Sequence, residues 1–364
     1  RSTVLQLLKV LDKWTEILDN NGFVDVIYLD FMKAFDKVPH KRLLSKLKAY
    51  GIGTNIISWI ADFLIGRVQK VGVNGFYSDW SNVTSGIPQG SVLGPLLFVL
   101  YINDMPDQIS SEIYLFADDT KIFHDTSKPE NSQIIQDDLC KLQEWSDKWL
   151  LRFHPDKCTV LDISTNDRDH HEYYLNDVKL QHVKSEKDLG VFVDKRLKFD
   201  SHISSKITKA NNILGAIRRT FSYINETTLL QLFTALVRSN LEYANSVWSP
   251  RFVRDIIAIE NVQRRATKMI PAIRDLPYEE RLRHLKLPTL SYRRHRGDMI
   301  DTYKILNNKY DEKVSNILPL HKDNIPDPTK VRGHSKKLFK RKHSLKIRKE
   351  NFSFRVVSIW NSLP

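Results

Sequence analysis

Cysteine is nearly absent from this chain, with two residues, Cys140 and Cys158, in 364. Two cysteines cannot build a disulfide framework, and neither stands in a paired Cys/His spacing of the zinc-holding kind. Both read as buried thiols. Long apolar runs are missing too. The longest, Val92 to Ile102, is too short to span a bilayer, and no signal-peptide pattern opens the chain. A membrane role is therefore set aside and an intracellular setting expected. No internal repeat is visible. What the chain has in excess is positive charge, 56 Lys and Arg against 43 Asp and Glu, for a net +13. Such a surplus favours a polyanionic partner through counterion release, and nucleic acid fits it better than an anionic membrane surface. The 41% hydrophobic content is ample for one large domain or two to three smaller ones. A start at Arg1 and an aromatic run, Phe352 to Trp360, close to the other end lead to the expectation of a fragment.

Taken in order, Thr3 to Leu18 carries apolar residues at helical spacing behind a Ser2 cap, with Asn20-Asn21-Gly22 as a stop. This helix is expected to pack on a sheet. Phe23 to Leu29 reads as a buried strand that delivers Asp30 at its C-terminal end, where α/β sheets commonly meet ligands. Two helices follow, the first with the stripe Leu43, Leu44, Leu47, Tyr50 and the second near Asn55 to Leu64. A hairpin is then expected across Asn74-Gly75. Ser85 to Pro95 is dense in backbone-defining residues: Gly86, Gly90 and Gly94 permit close approach to the main chain while Pro88 and Pro95 fix φ. It is either a surface for a planar or extended ligand or a plain connection with packing glycines.

Glu112 to His124 has β-favouring residues on both sides of Asp118-Asp119, the pattern of a hairpin with two carboxylates at its tip. Asp is a favoured turn residue, but two adjacent carboxylates also suit a cation such as Mg²⁺. A helix over Ser132 to Trp149, a turn holding Lys157 and further β structure from Val178 to Val193 complete this part. Lys157 is either a charge near the site or a solvated lysine. From about 196 the chain turns to helices rich in Lys and Arg. Arg264, Arg265, Lys268 and the cluster Arg293 to Arg296 are candidate phosphate contacts, or solvated faces. The segment Lys330 to Lys349, with Lys336, Lys337, Lys340, Arg341 and Lys342, reads as a polyanion-binding arm.

If neighbouring strands of one antiparallel sheet bring Asp30 beside Asp118 and Asp119, three carboxylates can hold two Mg²⁺ about 3.5–4 Å apart, the arrangement for in-line phosphoryl displacement. The glycine-rich loop then supplies a surface for a base pair, and the basic helices hold a duplex. Two other readings share some of these features. A two-metal nuclease needs the carboxylates but neither the loop nor a bulky Phe35. A catalytically silent RNA-binding protein of the same shape needs only the fold and the charge.

Tyr28 to Asp36, Ser85 to Pro95 and Phe116 to Asp119, in this order, resemble motifs A, B and C of a reverse transcriptase. Their wording is similar to the jockey-like clade of LINE-type retrotransposons, which lack long terminal repeats. The resemblance implies an α+β right-hand polymerase palm, an antiparallel sheet flanked by helices. It spans 1–195 with partial fingers, followed by a helical thumb over 196–275 and a basic C-terminal region over 276–364. It implies RNA-directed DNA polymerase activity with two Mg²⁺, an RNA template, a DNA primer and dNTPs, in nucleus and cytoplasm. Asp30, Asp118 and Asp119 correspond to the metal-binding catalytic triad, with the carbonyl of Phe31 completing a coordination shell. Phe35 matches the steric gate, Gln89 and Gly90 the loop beside template and nucleotide, and Lys157 a lysine that protonates pyrophosphate. Leu189-Gly190-Val191 resembles the primer grip. The family's finger elements and N-terminal endonuclease would precede residue 1, and RNase H motifs are absent from this sequence.

Overall fold

The computed structural model describes residues 2–166, 168–221, 223–310, 316–324 and 334–363. Helix α1 (Thr3–Asp19) comes first, its N-cap Ser2 hydroxyl accepting from the Leu5 amide. Strand β1 (Val24–Leu29) leads through a short helix α2 (Ala34–Lys37) to α3 (His40–Ala49) and α4 (Thr54–Leu64). The expected long hairpin is broken into two-residue strands. Here β2 (Val68–Gln69) pairs with β5 (Ser81–Asn82), and β3 (Gly72–Val73) pairs with β4 (Phe76–Tyr77) across Asn74-Gly75. Both turn residues have positive φ, which is what Asn-Gly supplies. Helix α5 (Leu93–Ile102), the hairpin β6 (Glu112–Phe116) and β7 (Asp119–Asp125), α6 (Pro129–Trp149) and β8 (Thr159–Ile163) follow. Short strands β9 (Tyr174–Leu175), β10 (Val178–Lys179) and β11 (Gln181–His182) come next.

Five of these strands form one sheet in the order β11-β8-β1-β7-β6, antiparallel except for the parallel β11–β8 pair. β1 takes the centre because its apolar residues are buried on both faces. Ile27, Leu29, Ile122 and Val160 of the sheet share one core with Leu43 and Leu47 of α3, Leu64 of α4, Phe98 of α5 and Leu139 of α6. Along α6 the stripe Ile135, Leu139, Leu142 faces that core. Cys140, next in sequence to Leu139, falls on the solvent side, so the expectation of two buried thiols holds for Cys158 alone. No helix among the described residues is long and apolar enough to cross a membrane.

Residues 23–184 form one compact unit, and 1–22 together with 185–364 form the other. The ranges expected for palm, thumb and C-terminal region cut across this division: α1 groups with the later chain, and the break comes at 184/185 rather than near 196. The second unit adds a hairpin of β12 (Ser185–Asp188) and β13 (Val191–Asp194) and helix α7 (Asp200–Thr220). A helix then runs from α8 (Glu226–Leu232) through a π turn to α9 (Ser239–Glu242). Helices α10 (Asn245–Trp248), α11 (Val253–Thr267), α12 (Tyr278–His284), α13 (Leu290–Leu306), α14 (Lys346–Glu350) and α15 (Phe352–Asn361) complete it.

What draws α1 into this unit is a buried polar cluster. Arg348, with a side chain 3% exposed, donates to Asp12 Oδ1 and to the Thr15 hydroxyl, both at 2.8 Å. Asn351 donates to the Leu11 carbonyl and to Thr15, and the Ser353 hydroxyl donates to Asp12. The basic tail is therefore not a free arm where it is described: its second half is folded against α1. Residues 330–333 of that call lie outside the described residues. Removing one partner from a buried ion pair leaves the other charge uncompensated, a loss of about 3–5 kcal/mol. Arg348→Leu is expected to lower unfolding stability by about that amount in denaturant titrations. Asp12→Asn combined with it should recover part of the loss, and equal stabilities of the single and double variants would contradict this account.

Candidate active site

Strand β1 pairs with β7 in a register running from Val24 opposite Asp125 to Leu29 opposite Thr120. Asp30 and Asp119 are the residues next to that last pair on the two strands. The β6–β7 hairpin closes through Ala117 and Asp118, with Phe116 paired to Asp119. Ala117 has φ +53°, which the two-residue turn requires and which an L-residue adopts under strain. Asp118 is half-buried and Asp119 exposed.

Asp30 is held through its backbone. Its amide donates to Cys158 Sγ at 3.4 Å, and its carbonyl accepts from the His154 amide at 2.8 Å. The Met32 amide donates to the Arg152 carbonyl, so Phe31 and Phe153 form the non-hydrogen-bonded pair between these two bonds, their rings stacked at 4.5 Å. In such a pair the peptide groups of Phe31 point away from Phe153, toward the β7 side. Burial pushes the Cys158 thiol up to about 11, so it stays protonated at neutral pH. The Asp30 carboxylate, 43% exposed, faces Lys157 Nζ at 3.4 Å. Lys157 thus lies beside Asp30 while remaining exposed, its side chain at 63%. Asp30, Asp118 and Asp119 do not bring three ligand atoms within 4.8 Å of one another. Among the described residues that is done by Asp162, His170 and His182.

The Ser85 to Pro95 loop is locked to the turn after β1. The Gly86 amide donates to the Val38 carbonyl and the Ile87 amide to the Phe35 carbonyl, while the Ser85 hydroxyl donates to the Asp36 carbonyl. Gly86 has φ +90°, and a Cβ there would meet the Asp36 backbone at 2.7 Å. Its carbonyl accepts from Arg67 Nη2 at 3.1 Å and contacts His40 Nε2 at 2.8 Å. Gln89 donates to Asp36 Oδ1 at 3.2 Å; Gly90, exposed, has φ +81° and open space where a Cβ would stand. Phe35, on α2 and half-buried, stacks on Phe98 at 4.6 Å. Sequence reasoning missed Arg67 and His40, because neither lies in a motif and both act through a distant backbone carbonyl.

The remaining candidates lie in the other unit. Leu189 and Gly190, both at positive φ, form the turn of the β12–β13 hairpin that ends in Val191, and Tyr243 donates its hydroxyl to the Leu189 carbonyl at 2.8 Å. Arg264, Arg265 and Lys268 are exposed on and just after α11. Arg264 sits over the Tyr278 ring, and Arg265 donates to Asn211. Arg265 and Lys268 line a groove with Arg218, Tyr223 and Arg274. Lys340 and Lys342 are exposed, and Lys337 is half-buried. Lys336 donates to Asn307, and Arg341 donates to the Ile317 carbonyl beside Asp12. Internal partners thus occupy two of the five tail cations assigned to phosphate.

A central antiparallel sheet flanked by helices, with an Asp just after one strand and two more at a hairpin tip, has the fold of a polymerase palm. Residues 14–193, just under half of the chain, match the family described as reverse transcriptase (RNA-dependent DNA polymerase). Over 329 residues the chain is 30% identical to the RNA-directed DNA polymerase from mobile element jockey of Drosophila funebris, covering 85% of this chain and 34% of that protein. It is 28% identical to the probable RNA-directed DNA polymerase from transposon X-element of Drosophila melanogaster, over 74% of this chain and 30% of that one. The chain thus spans about a third of the length of these relatives. Among solved structures, telomerase from Candida albicans in complex with the TWJ fragment of telomeric RNA matches 79% of this chain and 54% of its own at 11% identity, with a TM-score of 0.39.

The two loop glycines separate strain from collision. Gly90→Ala is expected to lower unfolding stability by about 1–2 kcal/mol, from its positive φ alone. Gly86→Ala carries the same strain plus a collision with backbone, which adds about 1–3 kcal/mol. Denaturant midpoints for the two variants check the order, and a smaller loss at Gly86 would refute the interlock.

Proposed function

We propose that this chain is the polymerase core of a mobile-element RNA-directed DNA polymerase. In this reading it extends the 3′-hydroxyl of a DNA primer along an RNA template with dNTPs, acting in cytoplasm and nucleus. The observation that supports the proposal is the β1–β7 register, which ends at Leu29 opposite Thr120 with Asp30 and Asp119 as the next residues, beside a loop locked onto the turn after β1. Asp30, Asp118, Asp119 and the Phe31 carbonyl would hold two Mg²⁺. The donors fit: all are hard oxygens, and the Lys157 ammonium already stands against Asp30. When bound, the ions supply activation of the primer hydroxyl and charge neutralisation at the triphosphate and leaving pyrophosphate.

The protein's own groups do the rest. Lys157, exposed and next to Asp30, holds a proton within reach of a departing pyrophosphate. Gly90 leaves open the surface beside Gln89 on which a template base or nucleotide rests. Leu189, Gly190 and Val191 act as the primer grip. Arg264, Arg265, Lys268, Lys337, Lys340 and Lys342 take phosphates, whereas Lys336 and Arg341 are withdrawn from that role by their internal partners. A second reading, a silent RNA-binding protein, is favoured by one observation: the three carboxylates are not gathered within 4.8 Å. Extension of an oligo(dT) primer on poly(rA) with Mg²⁺ separates the two. Polymerisation should be present and fall by about 1,000-fold in Asp30→Asn, with RNA binding unchanged. RNA binding without any extension by the wild type would select the silent reading.

Phe35 is the proposed gate against ribonucleotides, its ring filling the volume that a 2′-hydroxyl needs. Its stacking on Phe98 supports a fixed orientation but also makes it part of the core. Phe35→Val should keep deoxynucleotide incorporation measurable and admit ribonucleotides far more readily. The ratio of kcat/KM for a deoxynucleotide to that for its ribonucleotide is the test. An unchanged ratio with both rates depressed would make Phe35 a packing residue only.

A further inference from the structure

At the opposite end of β1 from Asp30, a second group of ligating side chains converges. Asp25 and Asp162 stand directly opposite each other across the β1–β8 pair. His182, on β11, lies beside β8 in parallel register with Val160, which puts it on the same face as Asp162 two residues on. His170 reaches in from the segment between β8 and β9. Both imidazoles present Nδ1 to the same carboxylate oxygen, Asp162 Oδ2, at 2.9 Å from His170 and 2.8 Å from His182. The other oxygen, Oδ1, is buried without a hydrogen-bond partner and has Arg168 Nη2 at 3.8 Å. Arg168 is ion-paired with Asp25, whose second oxygen accepts from the Tyr173 hydroxyl at 2.7 Å.

Charge argues that this cluster takes a cation. Asp25 and Asp162 are both buried, and one guanidinium serves the two. Apart from the imidazoles, one negative charge is left over in a region sheltered from water, which is costly unless it is paired or coordinated. We propose that Asp162, His170 and His182 form a binding site for a divalent ion of the zinc class, with three protein donors and a water completing a tetrahedron.

Two imidazole nitrogens and one carboxylate oxygen are borderline donors, which suit Zn²⁺ and not Mg²⁺. Ligand atoms about 2.0–2.1 Å from the metal stand roughly 3.4 Å apart in a tetrahedron, so the donors must open by about half an ångström. His170 can supply that, because its side chain is 55% exposed. The site is separate from the proposed catalytic one: Asp25 and Asp30 are five residues apart on one strand, about 17 Å. Its occupation pins the chain around Arg168 to Tyr173 onto the sheet edge, a structural role. The ligands have no regular spacing in sequence, and the missing cysteines had pointed away from zinc.

The test uses the full chain, stripped with chelator and held in saturating Mg²⁺ so that the oxygen site at Asp30 does not compete. Co²⁺ is the probe, followed by its visible absorption, with Zn²⁺ as competitor. One Co²⁺ per chain should bind with the spectrum of a four-coordinate nitrogen/oxygen site, and Zn²⁺ should displace it and raise the melting temperature. His170→Gln, at an exposed position, should weaken binding by about 100-fold, and His182→Gln likewise; loss of an outer partner alone already costs 10–100-fold. His295→Gln, in the other unit, should change nothing. Absence of stoichiometric Co²⁺ uptake, or equal affinity in the wild type and His170→Gln, would overturn the proposal and leave a hydrogen-bonded Asp–His–His cluster.

Discussion

The antiparallel ladder between β1 and β7 is the constraint from which the site follows. Both strands are buried through most of their length, so register is set by core packing on two faces and not by the carboxylates themselves. A slip of one residue would turn Ile122 and Phe123 to the wrong sides and send Asp119 to the face opposite Asp30. Strong apolar burial thus positions the acids at the ends of these strands. The acids repel one another, and nothing in their own chemistry would hold them level.

A second constraint acts on the turn that follows β1. Backbone bonds from Gly86 and Ile87 to Val38 and Phe35 tie the glycine-rich loop to the turn that follows β1. The approach is close enough that a single added carbon at Gly86 collides with Asp36. Phe35 is fixed from two directions, by its own carbonyl in this lattice and by its ring on Phe98. The loop and the turn therefore behave as one rigid piece, although about fifty residues of sequence separate them.

Much of this was legible in the sequence because it rests on local signals. Alternation and burial announce β1 and the β6–β7 hairpin, Ser2 and Asn20 bracket α1, and Asn74-Gly75 marks its turn. Where reading failed, the cause was a long-range partner. The helical period of α1 says that one face is buried but not against what, and the answer is Arg348 and Asn351, more than three hundred residues away. Cationic side chains on the tail look alike in sequence, yet Lys336 and Arg341 have internal acceptors while Lys340 and Lys342 are exposed. Asp162, His170 and His182 meet only because β11 returns parallel to β8.

The attachment of α1 to residues near 350 also orders events in time. As the chain leaves the ribosome, α1 emerges more than three hundred residues ahead of its partners, and the unit spanning 23–184 can close its own core while α1 still lacks Asn351, Arg348 and Ser353. Until the last of these is synthesised, Asp12 has neither Arg348 nor the Ser353 hydroxyl beside it, and the apolar side of α1 is without its eventual neighbours. A helper that shelters this amphipathic segment during translation would guard a step at which the nascent chain is open to aggregation.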